Sequence, residues 1–287
     1  MCIIILTLLF IIFFIVVITS FSFSYVMHEN ILRDTENRII SLDTISLKKI
    51  DKLKILIIQD GAYEKYHEYI KYSMEINKIY CDKWGYEYKF ITHNIDTMPP
   101  YWLKVYDMNK YINENKYDYV MYLDVDAIFY NHNYSLENIL IEIKHKANKT
   151  FDIYIGTDTP NSNANTGVFL VKNTIITKNI LNEWIDNCFI DEKIVNKCLA
   201  WNYDTYTHKW NCKLCSWAGN NYEQGVFNNF YKKYKKNIAI LDRSLFSNEN
   251  YKTKSYILHV MGKKKNNILN IFKNVYNSLT INNDKLK

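Results

Sequence analysis

The sequence predicts an α/β domain built on a largely parallel sheet, and three observations carry that expectation. Strand-like apolar runs alternate with segments of helical pattern from Leu53 onward. The most compact run is Tyr119–Leu123 (YVMYL). It leads directly into Asp124-Val125-Asp126, and open α/β sheets take their ligands beyond the carboxyl ends of strands.

In chain order, Leu53–Ile58 reads as a first strand ending at Gln59-Asp60-Gly61, and residues 64 to 83 read as a helix stopped near Gly85. Tyr86–Thr92 alternates as a second strand, Trp102–Asn113 follows as a helix, and Tyr119–Leu123 is the next strand. Phe151–Ile155 and Gly167–Val171 read as further strands, residues 174 to 187 and 222 to 234 as helices, and Tyr256–Val260 as a late short strand. Neither an internal repeat nor a long Pro/Gly linker interrupts this pattern.

The 287 residues are 48% hydrophobic and 23% charged, which excludes a disordered chain, and 7 Gly with 3 Pro exclude collagen-like and low-complexity classes. The apolar content is uneven. Cys2–Ile18 is apolar except for Thr7, and the run fades through Phe21, Phe23, Tyr25 and Val26. That length spans a bilayer, so residues 1–27 are expected to form a transmembrane signal-anchor. Residues 28–51 then form a polar stem, and 52–287 one domain with a Cys/Trp-rich insertion at 188–220. The alternative is a cleaved signal peptide, whose apolar region is shorter and follows basic residues. Arg33 and Arg38 lie after the run, which by the positive-inside rule favours a cytoplasmic body.

The net charge is +6, and only Arg33, Arg38 and Arg243 of the 36 basic residues are arginine. Planar bidentate readers of bases and phosphates are usually arginine, so no nucleic-acid partner is expected. Of six cysteines, Cys188, Cys198, Cys212 and Cys215 cluster. Cys188 and Cys198 are too far apart to make the close pair of a four-cysteine zinc site, which favours disulfides in an oxidising lumen and leaves free thiols as a third option. The sequons at Asn133 and Asn148 agree with a lumenal body.

Two neighbouring carboxylates repel unless a cation joins them. A hard divalent ion accepts such oxygens and also holds a diphosphate. If the chain stays extended, Asp124 and Asp126 lie on one side with Val125 opposite. A solvated turn or a helix cap is the bland alternative.

The segment Tyr117–Phe129 around these aspartates resembles the D-x-D segment of GT-A nucleotide-sugar transferases. Other segments are similar to the galactosyl, mannosyl and xylosyl transferases of glycosyltransferase family 34. Asn77-Lys78-Ile79-Tyr80-Cys81 with Gly85-Tyr86 resembles N-x-x-Y-(A/C)-x-x-x-G-Y, and Trp102-Leu103-Lys104 resembles W-x-K. Asn165–Asn173 resembles N-(S/T)-G-S-F-L-I-R-N, Glu223-Gln224 stands where the family has Asp-Gln, and His259–Lys263 resembles its late His segment. The likeness covers about residues 53 to 265 in the family's order. The chain departs from the pattern at Val125, Glu223 and Lys172, and residues 188 to 220 match nothing in it.

The resemblance implies a GT-A sandwich, Rossmann-like with a mainly parallel central sheet. It implies a retaining transfer of a hexosyl or pentosyl unit, from a UDP-sugar rather than GDP-mannose, to a glycan or glycoprotein acceptor. Asp124, Asp126 and His259 would hold Mn²⁺, with Mg²⁺ as the alternative ion. Asp60, Lys104, Asp124, Asp158, Asn165, Gly167, Gly262 and Lys263 would contact donor or substrate. Gln224 would face the sugar with Glu223 positioning it. Such an enzyme would be a type II single-pass protein with its catalytic domain in the Golgi or ER lumen, opposite to the orientation the arginines favour. Two other readings use the same residues: a non-catalytic sugar-binding or scaffold protein, and a metal-dependent phosphoester hydrolase.

Overall fold

The central sheet has the strand order β2-β1-β3-β6-β5-β9. Its members are β1 (Ile55–Ala62), β2 (Glu87–His93), β3 (Tyr119–Leu123), β5 (Ile153–Thr157), β6 (Ala164–Lys172) and β9 (Ile238–Leu241). The β1–β2, β1–β3 and β5–β9 pairs are parallel, whereas β6 runs antiparallel to both its neighbours. Two smaller ribbons complete the strands: β4 (Ala127–Phe129) with β10 (Ile257–His259), and β7 (Trp201–Asp204) with β8 (Lys209–Cys212). This computed structural model describes residues 52–62, 68–93, 98–157, 163–188, 201–212, 219–246, 255–261 and 266–284. The apolar run at 1–27, the stem at 28–51, Asp158, Gly262, Lys263, Cys198, Cys215 and Trp217 lie outside the described residues. Among those described, no helix is long and apolar enough to cross a membrane.

Alternation along the inner strands separates two cores. Leu56, Ile58, Val120 and Tyr122 face α2 (Pro100–Asn113), α4 (Ile175–Asp186) and α5 (Glu223–Tyr234). Ile55, Ile57, Tyr119, Met121 and Leu123 face α1 (Glu68–Trp84) and α3 (Leu136–Ala147). Strands buried on both faces read as apolar runs, which is why β1 and β3 were legible. The short α6 (Arg243–Phe246) adds Phe246 to the second core. An outer layer packs α7 (Ile268–Asp284) on α1, with Tyr69 edge-on to Phe272 and Tyr72 edge-on to Tyr276.

Helix ends follow local chemistry. Thr174 caps α4 by accepting from the Thr177 amide at 3.1 Å, and Ser135 caps α3 through Asn138 at 3.2 Å. After α1 the chain turns at Gly85, whose φ of 72° is left-handed and favours glycine.

His132 is buried beside Tyr80, its ring edge-on at 5.5 Å, and its Nε2 lies 3.0 Å from the Phe129 carbonyl. Burial, against that hydrogen bond, lowers its pKa from 6.5 to about 4. The unfolded chain therefore takes up this proton first as pH falls. The contribution to stability is complete above pH 6.5 and is lost as pH falls toward 4, reaching about 1.4 kcal/mol at pH 5.5. His132→Gln keeps a donor for Phe129 and is expected to remove that part of the acid slope. Urea midpoints at pH 7.5 and 5.5 test it, and a slope equal to the wild type's would refute it.

Candidate functional site

Asp124 follows the last residue of β3 and Asp126 immediately precedes β4, but the chain between them is a tight turn and not the extended segment assumed from alternation. Ala127 N–H donates to the Asp124 carbonyl at 2.9 Å. Buried amides hold the turn from behind. Gln59 Nε2 donates to the carbonyls of Asp124 and Ala127 at 3.1 and 3.2 Å, and Asn77 Nδ2 donates to Ala127 at 3.1 Å. Asn77 Oδ1 also accepts from Phe129 N–H at 2.8 Å, and Tyr80 stacks on the Phe129 ring at 3.7 Å. The Asn77 and Tyr80 of the family-like motif are thus clamps on β4.

His259 stands opposite Ala127 in the β4–β10 register, which brings its ring to the turn. Its Nε2 lies 3.2 Å from Asp126 Oδ1 and 3.7 Å from Asp124 Oδ2. Ligand atoms of all three residues fall within 4.8 Å of one another. A six-coordinate ion with bonds of about 2.1 Å holds adjacent ligand atoms about 3.0 Å apart, so two carboxylates and an imidazole at these spacings fit a divalent ion. Gly167 leaves the room for it, since a Cβ there would meet His259 Cε1 at 2.3 Å and Asp124 Oδ2 at 2.5 Å.

A second set, Asp60, His93 and Asp107, also brings ligand atoms within 4.8 Å. His93 Nε2 lies 2.5 Å from Asp107 Oδ2, too close for two ligands sharing an ion, so this contact is an ion pair. Burial acts against the His93 cation, and Asp107 outweighs it and raises the pKa. Asp60 sits on β1 itself, not in the turn after it. It keeps one edge toward the cleft, with Oδ1 accepting from Tyr122 at 2.7 Å and Oδ2 enclosed. Burial raises its pKa to about 7, against the Tyr122 hydrogen bond and the charge of Lys104.

Lys104, expected as a donor contact, is buried among carboxylates. Its Nζ lies 2.7 Å from Asp124 Oδ1, 3.5 Å from Glu223 Oε1, and 5.1 Å from the Tyr122 ring centre. Burial alone would lower the ammonium pKa, but Asp124 and Glu223 hold it above the ordinary value. Burial raises the Glu223 carboxyl, with Lys104 and Thr166 opposing.

Glu223 and Gln224 open α5, where an acidic side chain is favourable. Glu223 reaches Gln224 through Thr166. Thr166 Oγ1 donates to Glu223 Oε1 at 2.9 Å, and Thr166 N–H donates to Gln224 Oε1 at 3.2 Å. Thr166 Oγ1 also lies 3.4 Å from the Gln224 amide oxygen, so both polar groups of Thr166 meet it. Asn165 Oδ1 accepts from Gly167 N–H at 2.9 Å, and both residues lie within β6 and not in a turn before it. Thr166 was not singled out from the sequence, although it lies inside the Asn165-Thr166-Gly167 motif.

These groups line one cleft of about 530 Å³, from Asp60 and Tyr101 to Asp126, His259 and Met261. That volume lies in the range of small-molecule sites. In the insertion, Cys212 is disulfide-bonded, its partner lying outside the described residues. Cys188 is a buried thiol next to the first core, so the expected disulfides do not extend to it.

No protein-family model matches the sequence, and no curated protein matches it. Among solved structures, a glycosyltransferase involved in the glycosylation of the major capsid of PBCV-1 is similar with a TM-score of 0.55 at 14% identity, over 77% of this chain and 99% of that one. The chain shares that protein's fold. The glycosyltransferase GlyE of Streptococcus pneumoniae TIGR4 gives a TM-score of 0.44 at 12% identity, over 80% of this chain and 64% of that one. The mixed α/β architecture with a mainly parallel sheet is that of the capsid glycosyltransferase and is consistent with a GT-A-like fold. In it, the D-x-D turn sits beyond the carboxyl end of β3.

Proposed function

We propose that this chain is a metal-dependent glycosyltransferase of the family 34 type. It moves a hexosyl or pentosyl unit from a nucleotide-diphosphate sugar, a UDP-sugar before GDP-mannose, to a glycan or glycoprotein with retention of anomeric configuration. The observation that carries this reading is the meeting of Asp124, Asp126 and His259 over the bare face of Gly167, in a cleft of nucleotide size. When bound, Mn²⁺ or Mg²⁺ supplies Lewis acidity and charge neutralisation at the diphosphate.

The chain's own groups do the rest. Lys104 balances the half-buried Asp124 and the buried Glu223, so both carboxylates keep their places without a donor. Thr166 fixes the Gln224 amide in the cleft wall, where its oxygen would stabilise positive charge developing at the anomeric carbon. Glu223, paired and enclosed, acts as positioning residue for this array and not as nucleophile, which favours attack by the acceptor on the same face. Asp158, Gly262 and Lys263 complete the donor contacts in this reading. The apolar run at residues 1–27 anchors the domain to a lumenal membrane surface, with 28–51 as stem and 52–287 as catalytic domain.

Calorimetric titration of UDP- and GDP-sugars, with Mn²⁺ and then with EDTA, tests the reading. Metal-dependent binding of at least one donor is expected, and chelation should abolish it. If no donor binds in the presence of metal, the transferase reading fails. Proton NMR of early product should show the anomer of the donor; the opposite anomer would remove retention.

A further inference from the structure

We propose that the aromatic face of the β7–β8 hairpin is the platform on which a neutral acceptor saccharide lies; this role as acceptor site rests on the transferase reading above. The hairpin belongs to the insertion that matches nothing in the family pattern. Its register sets Trp201 opposite Cys212 and Tyr203 opposite Trp210. Directly opposed residues and alternate positions share a face, so Trp201, Tyr203, Trp210 and Cys212 project from one side. Asn202, Asp204, Lys209 and Asn211 project from the other.

The aromatic side forms a continuous row that begins in the cleft wall. Tyr101 lines the cleft and lies 5.7 Å from the Trp201 ring and 5.0 Å from that of Tyr222. Trp201 is buried and donates from Nε1 to the Asn221 carbonyl at 2.8 Å. Farther out, Tyr203 and Trp210 pack at 5.4 Å, both half-buried, and Tyr203 Oη meets His208 Nδ1 at 3.1 Å. The turn beyond them carries Tyr206, which is 93% exposed.

Two four-residue strands are marginal by themselves, and here Trp201 tethers them to Asn221 and Tyr222. A ribbon whose aromatic side faces the same way as the Trp201 contact with the cleft wall offers apolar ring faces with polar edges there, the surface that matches the C–H faces and hydroxyl rims of sugar rings. Among the described hairpin residues no lysine or arginine shares this side, so a neutral saccharide suits it better than an anionic one. Position favours the acceptor over the donor. The row is seated on Asn221 and Tyr222, immediately before Glu223 and Gln224, and therefore leads toward the sugar end of the cleft.

Saturation-transfer NMR tests the proposal on the full chain in mild detergent, without metal or nucleotide. The probes are maltotriose, cellotriose, mannotriose and xylotriose. At least one is expected to bind, and Trp210→Leu and Tyr203→Leu should each weaken it about tenfold. Trp210→Phe keeps a ring and should retain binding within about threefold, which separates stacking from loss of hairpin packing. Failure of the wild type to bind any of the four, or equal binding by the leucine variants, would overturn the platform. So would a change of oligomeric state in Trp210→Leu, because the face would then be an interface between copies. Donor titration with Mn²⁺ is read separately. Saccharide binding without donor binding would sink the transferase reading and the acceptor role with it, whereas donor binding without saccharide binding would sink only the platform.

Discussion

Gly167→Ala is expected to remove divalent-metal binding and to lower any metal-dependent turnover about 10³-fold. The conformation of Gly167 is ordinary; the effect comes from space. An added methyl would stand 2.3 Å from His259 Cε1, 2.5 Å from Asp124 Oδ2 and 2.9 Å from His259 Nε2. Either neighbour can make room only by turning its side chain out of the ligand arrangement, and the Asp124 carboxylate is also held by Lys104 at 2.7 Å. His259 is locked by the β10–β4 register, and Asp124 is tied by its own N–H to the Gly167 carbonyl at 2.7 Å. The methyl therefore occupies the space between two candidate ligands. Mn²⁺ titration followed by electron paramagnetic resonance measures the loss, and a thermal melt of the metal-free protein separates it from misfolding. Wild-type Mn²⁺ affinity in this variant would show that the ion sits elsewhere.

Lys104→Met carries the second large effect, and it falls on stability. The Lys104 ammonium is enclosed between Asp124 and Glu223, and its removal leaves two carboxylates facing each other with no cation between them. Breaking a buried ion pair from one side costs about 3–5 kcal/mol. The Lys104→Met, Glu223→Gln double variant returns the local net charge to its starting value. It should recover about 1–3 kcal/mol of the loss, read as a coupling energy in urea unfolding of the metal-free protein. Additive losses in that cycle would mean that the Lys104–Glu223 contact carries no energy of its own.

The same cluster marks what was legible in the chain and what was not. A pair of aspartates behind an apolar strand is local information, and so was the run of β1. The shape of the Asp124–Asp126 segment is not local. Gln59 and Asn77 reach it from β1 and α1 and convert an extended stretch into a turn. Helical pattern gives Lys104 no reason to be buried; its carboxylate partners arrive from β3 and α5. Thr166 connects Glu223 to Gln224 through one hydroxyl and one amide, and no spacing in the chain advertises that link. The strands β4, β7, β8 and β9 have three or four residues each, too few for alternation to register, whereas β10 falls inside the expected strand Tyr256–Val260. The Cys188 thiol was grouped with its neighbours by proximity in sequence, whereas packing against the first core decides its state.

The β4–β10 ribbon also imposes an order of events on the newborn chain. The acidic turn emerges from the ribosome with the first half of the sheet, while its imidazole partner travels on a strand near the far end. Three residue pairs join that strand to β4, and α7, emerging later still, presses against α1 beside them. Domains take shape from the amino-terminal side during synthesis. Lys104, on the earlier α2, is already available to pair with Asp124, so it is Asp126 that waits for its imidazole partner until β10 docks. Completion of the Asp124, Asp126 and His259 set is in this way coupled to translation of β10, and a chain truncated before His259 keeps the two carboxylates without their imidazole partner.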